Sequence, residues 1–209
     1  MLDLHRFRRC WNALRAQGDP APIFAKLHRA YHEPQRAYHG IHHLHDCLQQ
    51  FDCVYDQAVS PIELEIALWY HDAIYDPHAR DNEARSAAWA RRDLHAGRVS
   101  PARIEAIDEL IMATKHDGEP LSPDAALLVD IDLSILGRSR EEFEHYDRAI
   151  RAEYAWVPED QYRAGRSAVL ERFLARPAIY TTPWFRARYE KAARRNLTLA
   201  LEQLQTPVG

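Results

Sequence analysis

Along the chain, apolar residues recur at three- and four-residue spacings far more often than they alternate, so the sequence predicts a succession of helices. Proline tends to mark where they begin. Ser60-Pro61-Ile62-Glu63 reads as an N-cap, a proline at the first helical position and a glutamate closing a capping box. Ser100-Pro101, Ser122-Pro123 and Val157-Pro158 repeat the arrangement less completely, and Asp81 heads a further start in "DNEA". The pattern predicts helices at about 3–16, 20–32, 39–56, 61–75, 82–96, 101–116, 123–137, 140–155, 159–175 and 183–205. Residues 129 to 135 alternate and could pass for a strand. The Ser-Pro-Asp start, the Ala-Leu run and Gly137 as a stop favour a short buried helix instead. No repeat, low-complexity segment or long Gly/Ser linker interrupts the series. The expected fold class is all-α, a single helical domain over residues 1–209.

Three segments depart from ordinary amphipathic helices. In the 61–75 helix, Ile62, Ile66, Trp69 and Ala73 share one face while Leu64, Leu68 and Tyr75 line another, so the helix is apolar nearly all round and belongs in a core. Between Ile66 and Tyr75 its ionisable groups, phenols aside, are the adjacent His71 and Asp72. A buried carboxylate needs a partner, which is either a His–Asp hydrogen bond or a cation that stabilises the carboxylate and selects neutral imidazole. In "RAYHGIHHLHDCLQQF", residues 36–51, a helix from about His39 puts His39, His43 and Asp46 on one narrow face, with His42 at its edge. In "SPDAALLVDIDLSILG", residues 122–137, the charges within the apolar run are Asp130 and Asp132, 200° apart on a helix, so one of them faces any given site. By contrast, "YRAGRSAVLERFL" and "FRARYEKAARRNLTLALEQL" are amphipathic, with arginines on a solvated face.

Composition narrows the classes. The 27 Lys and Arg nearly balance the 31 Asp and Glu, which argues against a nucleic-acid binder held by bulk electrostatics. Cys10, Cys47 and Cys53 form no C-x-x-C pair and fit reduced thiols in a cytoplasmic protein. The N-terminal stretch has no uninterrupted apolar core, as a signal peptide would, and no apolar run reaches the length of a membrane span. Twelve histidines is the anomaly, and six of them fall between His28 and His45.

Taken in order, the segments supply a histidine, a His-Asp pair 28 residues after His43, and an aspartate 60 residues beyond Asp72. The order His…His-Asp…Asp, with "YHGIHHL", "WYHDAIYD", "NEARSA", "DIDLSILG", "EYAWV" and "RRNL", resembles the HD superfamily of metal-dependent phosphohydrolases. It is most similar to a bacterial group of about this length that begins with a "YHxxxHHL"-like motif. The resemblance implies an HD-type helical bundle with a metal-site core at about 36–137 and helices 140–205 packed on it. Carried over, it implies His43, His71, Asp72 and Asp132 as metal ligands. His43 matches the second histidine of the motif, although Gly40 and the extra histidines leave His39 and His42 open. Asp132 has the aliphatic neighbour the superfamily places before its ligand, with a looser match after it. Such a mixed N/O set suits one divalent ion among Mn, Fe, Ni, Co, Zn and Mg without choosing between them.

The expected reaction is hydrolysis of a phosphoester on a small phosphorylated metabolite or nucleotide by metal-activated water. Asp76, four residues after Asp72, is a candidate for positioning water, or else it caps the turn into Pro77. Glu83 is a candidate for bonding a ligand or water, or else half of a local cap. Lys115 and His116 end a helix, where they would meet phosphate or a leaving group, or simply favour the helix dipole. His95 reads as a helix-end residue rather than a second-metal ligand, and Arg36, Arg80 and Arg85 flank the motifs as possible phosphate contacts. The alternatives are a non-catalytic HD module that binds metal and nucleotide in a regulatory role, and an HD-fold oxygenase with two irons, which needs more histidine ligands than the sequence places.

Overall fold

A computed structural model describes residues 3–116, 118 and 120–206. Among the described residues it is all-α, with ten helices and no strand. These are α1 (Leu4–Ala13), α2 (Ala21–Ala30), α3 (Ile41–Val54), α4 (Pro61–Tyr70), α5 (Asn82–Ala96), α6 (Pro101–Ala113), α7 (Pro123–Asp132), α8 (Arg140–Glu153), α9 (Glu159–Leu174) and α10 (Pro183–Gln205). Short 3-10 segments follow α3 (Tyr55–Gln57) and α7 (Leu133–Gly137). No helix is long and apolar enough to cross a membrane among the described residues. The chain divides into two compact units, residues 1–131 and 132–209, the division falling at the last residue of α7.

In the first unit α4 is the central element, packed against α1, α3, α5 and α6. Every residue from Glu63 to Tyr70 is buried, as a helix apolar nearly all round requires. Its two glutamates are paired: Glu65 takes Arg6 Nε at 2.6 Å and Glu63 takes Arg103 Nε at 2.9 Å. Trp69 meets Phe7 edge-on, with ring centroids 5.3 Å apart.

Helix ends differ from the pattern-based bounds for identifiable reasons. α4 stops at Tyr70, not Tyr75, because side chains take the carbonyls at its end. Tyr31 Oη donates to the Trp69 carbonyl at 3.3 Å and His71 Nδ1 lies 2.8 Å from that of Leu68. α3 begins at Ile41 with Gly40 as its N-cap, so His39 precedes the helix. A Cβ on Gly40 would stand 3.2 Å from the Tyr31 carbonyl oxygen, tight enough to favour glycine there. The capping box at Ser60 does not form. The backbone amides of Val59 and Ser60 donate instead to the Asp124 carboxylate, both at 2.8 Å. A box forms at Ser139, whose Oγ accepts from the Glu142 amide while the Glu142 carboxylate accepts from the Ser139 amide.

In the second unit, α10 packs on α9 and on the 133–137 segment. Asn196 Nδ2 donates to the carbonyls of Leu136 and Arg138, each at 3.0 Å, and Tyr180 Oη to that of Leu133 at 3.0 Å. Gly137 lies so close to α10 that a Cβ there would fall 2.4 Å from Tyr189 Cβ and 2.8 Å from its carbonyl oxygen.

Candidate metal centre

The centre forms where the end of α4 passes the first turn of α3. Ending α4 at Tyr70 makes His71 its C-cap and leaves Asp72 just beyond, so the His-Asp pair sits on a turn rather than within a helix. The turn is held from outside by Arg36, whose side chain is 1 % exposed. Its Nη1 donates to the carbonyls of His39 (3.0 Å) and Asp72 (2.5 Å), its Nη2 to that of Ala73 (3.0 Å), and its Nε to Glu33 (3.0 Å). One guanidinium thereby ties the approach to α3 to the residues after α4, using its planar fork of donors.

His71 is 1 % exposed. A carbonyl can only accept, so its Nδ1 contact with Leu68 puts the proton on Nδ1 and points Nε2 inward. Facing it, His43 Nε2 lies 3.1 Å away, and Asp72 Oδ2 lies 3.2 Å from His71 Nε2 and 3.4 Å from His43 Nε2. Asp72 Oδ2 is buried yet accepts no hydrogen bond of good geometry from any described residue. Three donor atoms thus converge on one point. Two nitrogens each about 2.05 Å from a tetrahedral zinc-like ion stand about 3.3 Å apart, and at octahedral angles about 2.9 Å. The three observed separations, 3.1, 3.2 and 3.4 Å, lie close to the tetrahedral value, so the residues fit a shared cation.

Burial works against charge on both members of the pair. Even so, Asp72 holds His71 protonated well above the ordinary imidazole range, and His71, with His39 and His43, holds Asp72 below the usual carboxylate range. A divalent cation at the same point takes over what the proton does there.

Asp132 closes α7 and is half-buried. Single donor atoms of His43, Cys47, His71 and Asp132 all lie within 4.8 Å of one another. Asp130, on the same helix, is fully buried. Cys47 was not expected in this group. It is buried, and burial alone would raise its thiol pKa, but His43 and His71 bring it below the ordinary value. The usable signal was its spacing of four residues from His43 on one helix.

Of the remaining expected residues, His39 stacks on Tyr75 at 4.2 Å and on the edge of Tyr38, and His42 is exposed. Asp76 accepts from the His78 amide at 2.9 Å, and Asn82 bonds the Asp76 backbone on both sides, which is a turn-capping arrangement. It also lines a cavity of about 670 Å³ with Lys26, Arg29, Tyr75 and Arg85. Glu83 is half-buried in the first turn of α5. Lys115 is exposed beyond the α6 cap, and His116 follows it in a left-handed conformation, φ 56°. Arg36 is committed to carbonyls and Glu33 rather than offered to phosphate, Arg80 is exposed, and His95 is exposed in the last turn of α5.

The fold and the cluster define an all-α protein with a buried His/Asp/Cys donor group. No protein-family model, curated protein or solved structure matches this chain.

Proposed function

We propose that the chain is an HD-type, metal-dependent hydrolase of phosphoesters, acting on a small phosphorylated metabolite or nucleotide. The observation that carries this is the convergence of His43 Nε2, His71 Nε2 and Asp72 Oδ2 within 3.1–3.4 Å, with a donor atom of Asp132 within 4.8 Å of donor atoms of His43 and His71. These four residues would hold one divalent ion. Such an ion, when bound, supplies Lewis acidity toward a phosphoryl oxygen and toward water. The chain's own part is preorganisation. The Leu68 carbonyl fixes the His71 ring, and Arg36 fixes the backbone carbonyls of Asp72 and Ala73. Lys115 and His116 would meet phosphate oxygens or protonate the leaving group, and Asp76 and Glu83 would orient water. The three cysteines are free thiols, which suits a reducing cytoplasm.

The test is a panel of phosphomonoesters, phosphodiesters and nucleotides, assayed with each candidate ion on the wild type and on Asp72→Ala. The proposal expects turnover by the wild type and a loss of about a hundred- to a thousandfold or more in the variant, the range for removing a principal electrostatic group. Stoichiometric metal with no turnover of any ester would contradict hydrolysis and leave a metal-binding regulatory module.

A further inference from the structure

The metal centre does not account for the cavity of about 670 Å³, since none of His43, His71, Asp72 and Asp132 lines it. Its size falls within the roughly 300–1,000 Å³ of small-ligand pockets. α2 contributes Lys26 and Arg29, three residues apart and so on one face; α5 contributes Arg85 and Trp89, four apart and likewise on one face. The charges on the walls are unevenly matched. Glu33 is taken by Arg36 Nε at 3.0 Å and Gln35 Nε2 at 3.1 Å, and the Asp76 carboxylate accepts from the His78 amide at 2.9 Å. By contrast, the Lys26 and Arg29 side chains make no hydrogen bond or ion pair with any described residue. Arg85 has a long, exposed pairing with Asp81 at 3.9 Å. Three cations from two helices thus border one concave space whose carboxylates are already engaged, and such a space concentrates anions. Trp89 adds a flat apolar surface: its Nε1 donates to Asp93 at 2.8 Å, which fixes the indole, and the half-buried ring borders the cavity.

We infer that this cavity is a nucleotide-binding site separate from the metal centre, in which Lys26, Arg29 and Arg85 take the phosphate groups and Trp89 stacks on the base. Phosphate oxygens suit both the planar guanidinium fork and the lysine ammonium. Every base offers a flat face to an aromatic ring. A bare phosphate would leave the indole unused, and an apolar ligand would leave the three cations unmet. None of these groups is a metal donor, so binding requires no ion.

The test titrates the full-length protein, stripped of metal and desalted, with adenosine diphosphate, pyrophosphate and adenosine at one low ionic strength, by calorimetry and tryptophan fluorescence. Wild type is expected to bind one adenosine diphosphate per chain, at least about tenfold tighter than either fragment, with quenching of the fluorescence. Trp89→Phe keeps a ring for stacking, so it is expected to retain binding and lose the quench. Arg29→Glu and Arg85→Glu, at exposed positions, are each expected to weaken binding by at least about tenfold, because a like charge then meets the phosphates. Arg172→Glu, an exposed position on α9, is expected to bind as wild type does, and so is folded Asp72→Ala. No saturable binding by the metal-free wild type, or equal affinity in Arg29→Glu, Arg85→Glu and Arg172→Glu, would overturn the site. Pyrophosphate binding as tightly as adenosine diphosphate, or a quench that survives Trp89→Phe, would refute the stacked base. Loss of binding in folded Asp72→Ala would place the nucleotide at the metal centre and refute a separate site. Because every titration is made without metal, failure of the proposed hydrolysis changes none of these outcomes.

Discussion

His71 shows how single residues build the site. One ring nitrogen is fixed on the Leu68 carbonyl, and the other shares a point with His43 and Asp72. Arg36 does for the backbone what Leu68 does for the ring, since three carbonyls around the His39 and Asp72 turns depend on its guanidinium. Lysine keeps the charge but cannot reproduce the fork. Arg36→Lys is therefore expected to destabilise the fold by about 2–3 kcal/mol, the range for hydrogen bonds to a charged group whose buried partners are left unmet. Urea unfolding measures this, and an unchanged midpoint would show that the turn does not depend on the fork. His71 and Asp72 stood out in the sequence because a histidine and a carboxylate inside an apolar run demand an explanation, whereas His43 was singled out from His39 and His42 only by the resemblance to a family motif. Cys47 did not stand out, because a cysteine in an apolar face reads equally well as a small hydrophobe. The role of Arg36 was hidden as well: an arginine beside a candidate phosphate site reads as an anion contact until its carbonyl partners are known.

Helix starts and stops were legible where the competing groups are local, and not where they come from far along the chain. Prolines 61, 101, 123 and 183 open α4, α6, α7 and α10 as their positions suggest. The Ser60 box is displaced by Asp124, 64 residues away, and α4 loses its expected last turn to Tyr31, Arg36 and His71. At Ser139 nothing distant competes, so the local motif forms. Bonds from Ser139 lower the Glu142 pKa from its ordinary 4.5. A carboxylate whose folded value is depressed stabilises the fold above the unfolded value, and that contribution is lost as pH falls through the folded one. The stability difference between wild type and Glu142→Gln should thus be constant near neutrality and close below about pH 4.5, read by thermal melts across pH. A gap that widens on acidification would refute this account of the α8 start. Ser139→Ala should cost about 1 kcal/mol at neutral pH in the same melts.

At the scale of the molecule, the all-α class followed from three- and four-residue periodicity and from proline and glycine punctuation, both local properties of the chain. No composition shift or linker marks the place inside α7 where the chain passes from one compact unit to the other. The donor cluster depends on long-range packing: its members are drawn from α3, the end of α4 and the end of α7, separated by 28 and 60 residues. Their residue types could be read in advance, whereas their common point of convergence is a property of the fold. The central claim is that this point holds one divalent cation. The direct measurement is metal per chain, by elemental analysis after equilibration with zinc and gel filtration, for wild type and Asp72→Ala, with far-UV circular dichroism to confirm that both are folded. One ion per wild-type chain and almost none in folded Asp72→Ala is the expected result; equal metal in the two proteins, or none in either, would contradict it.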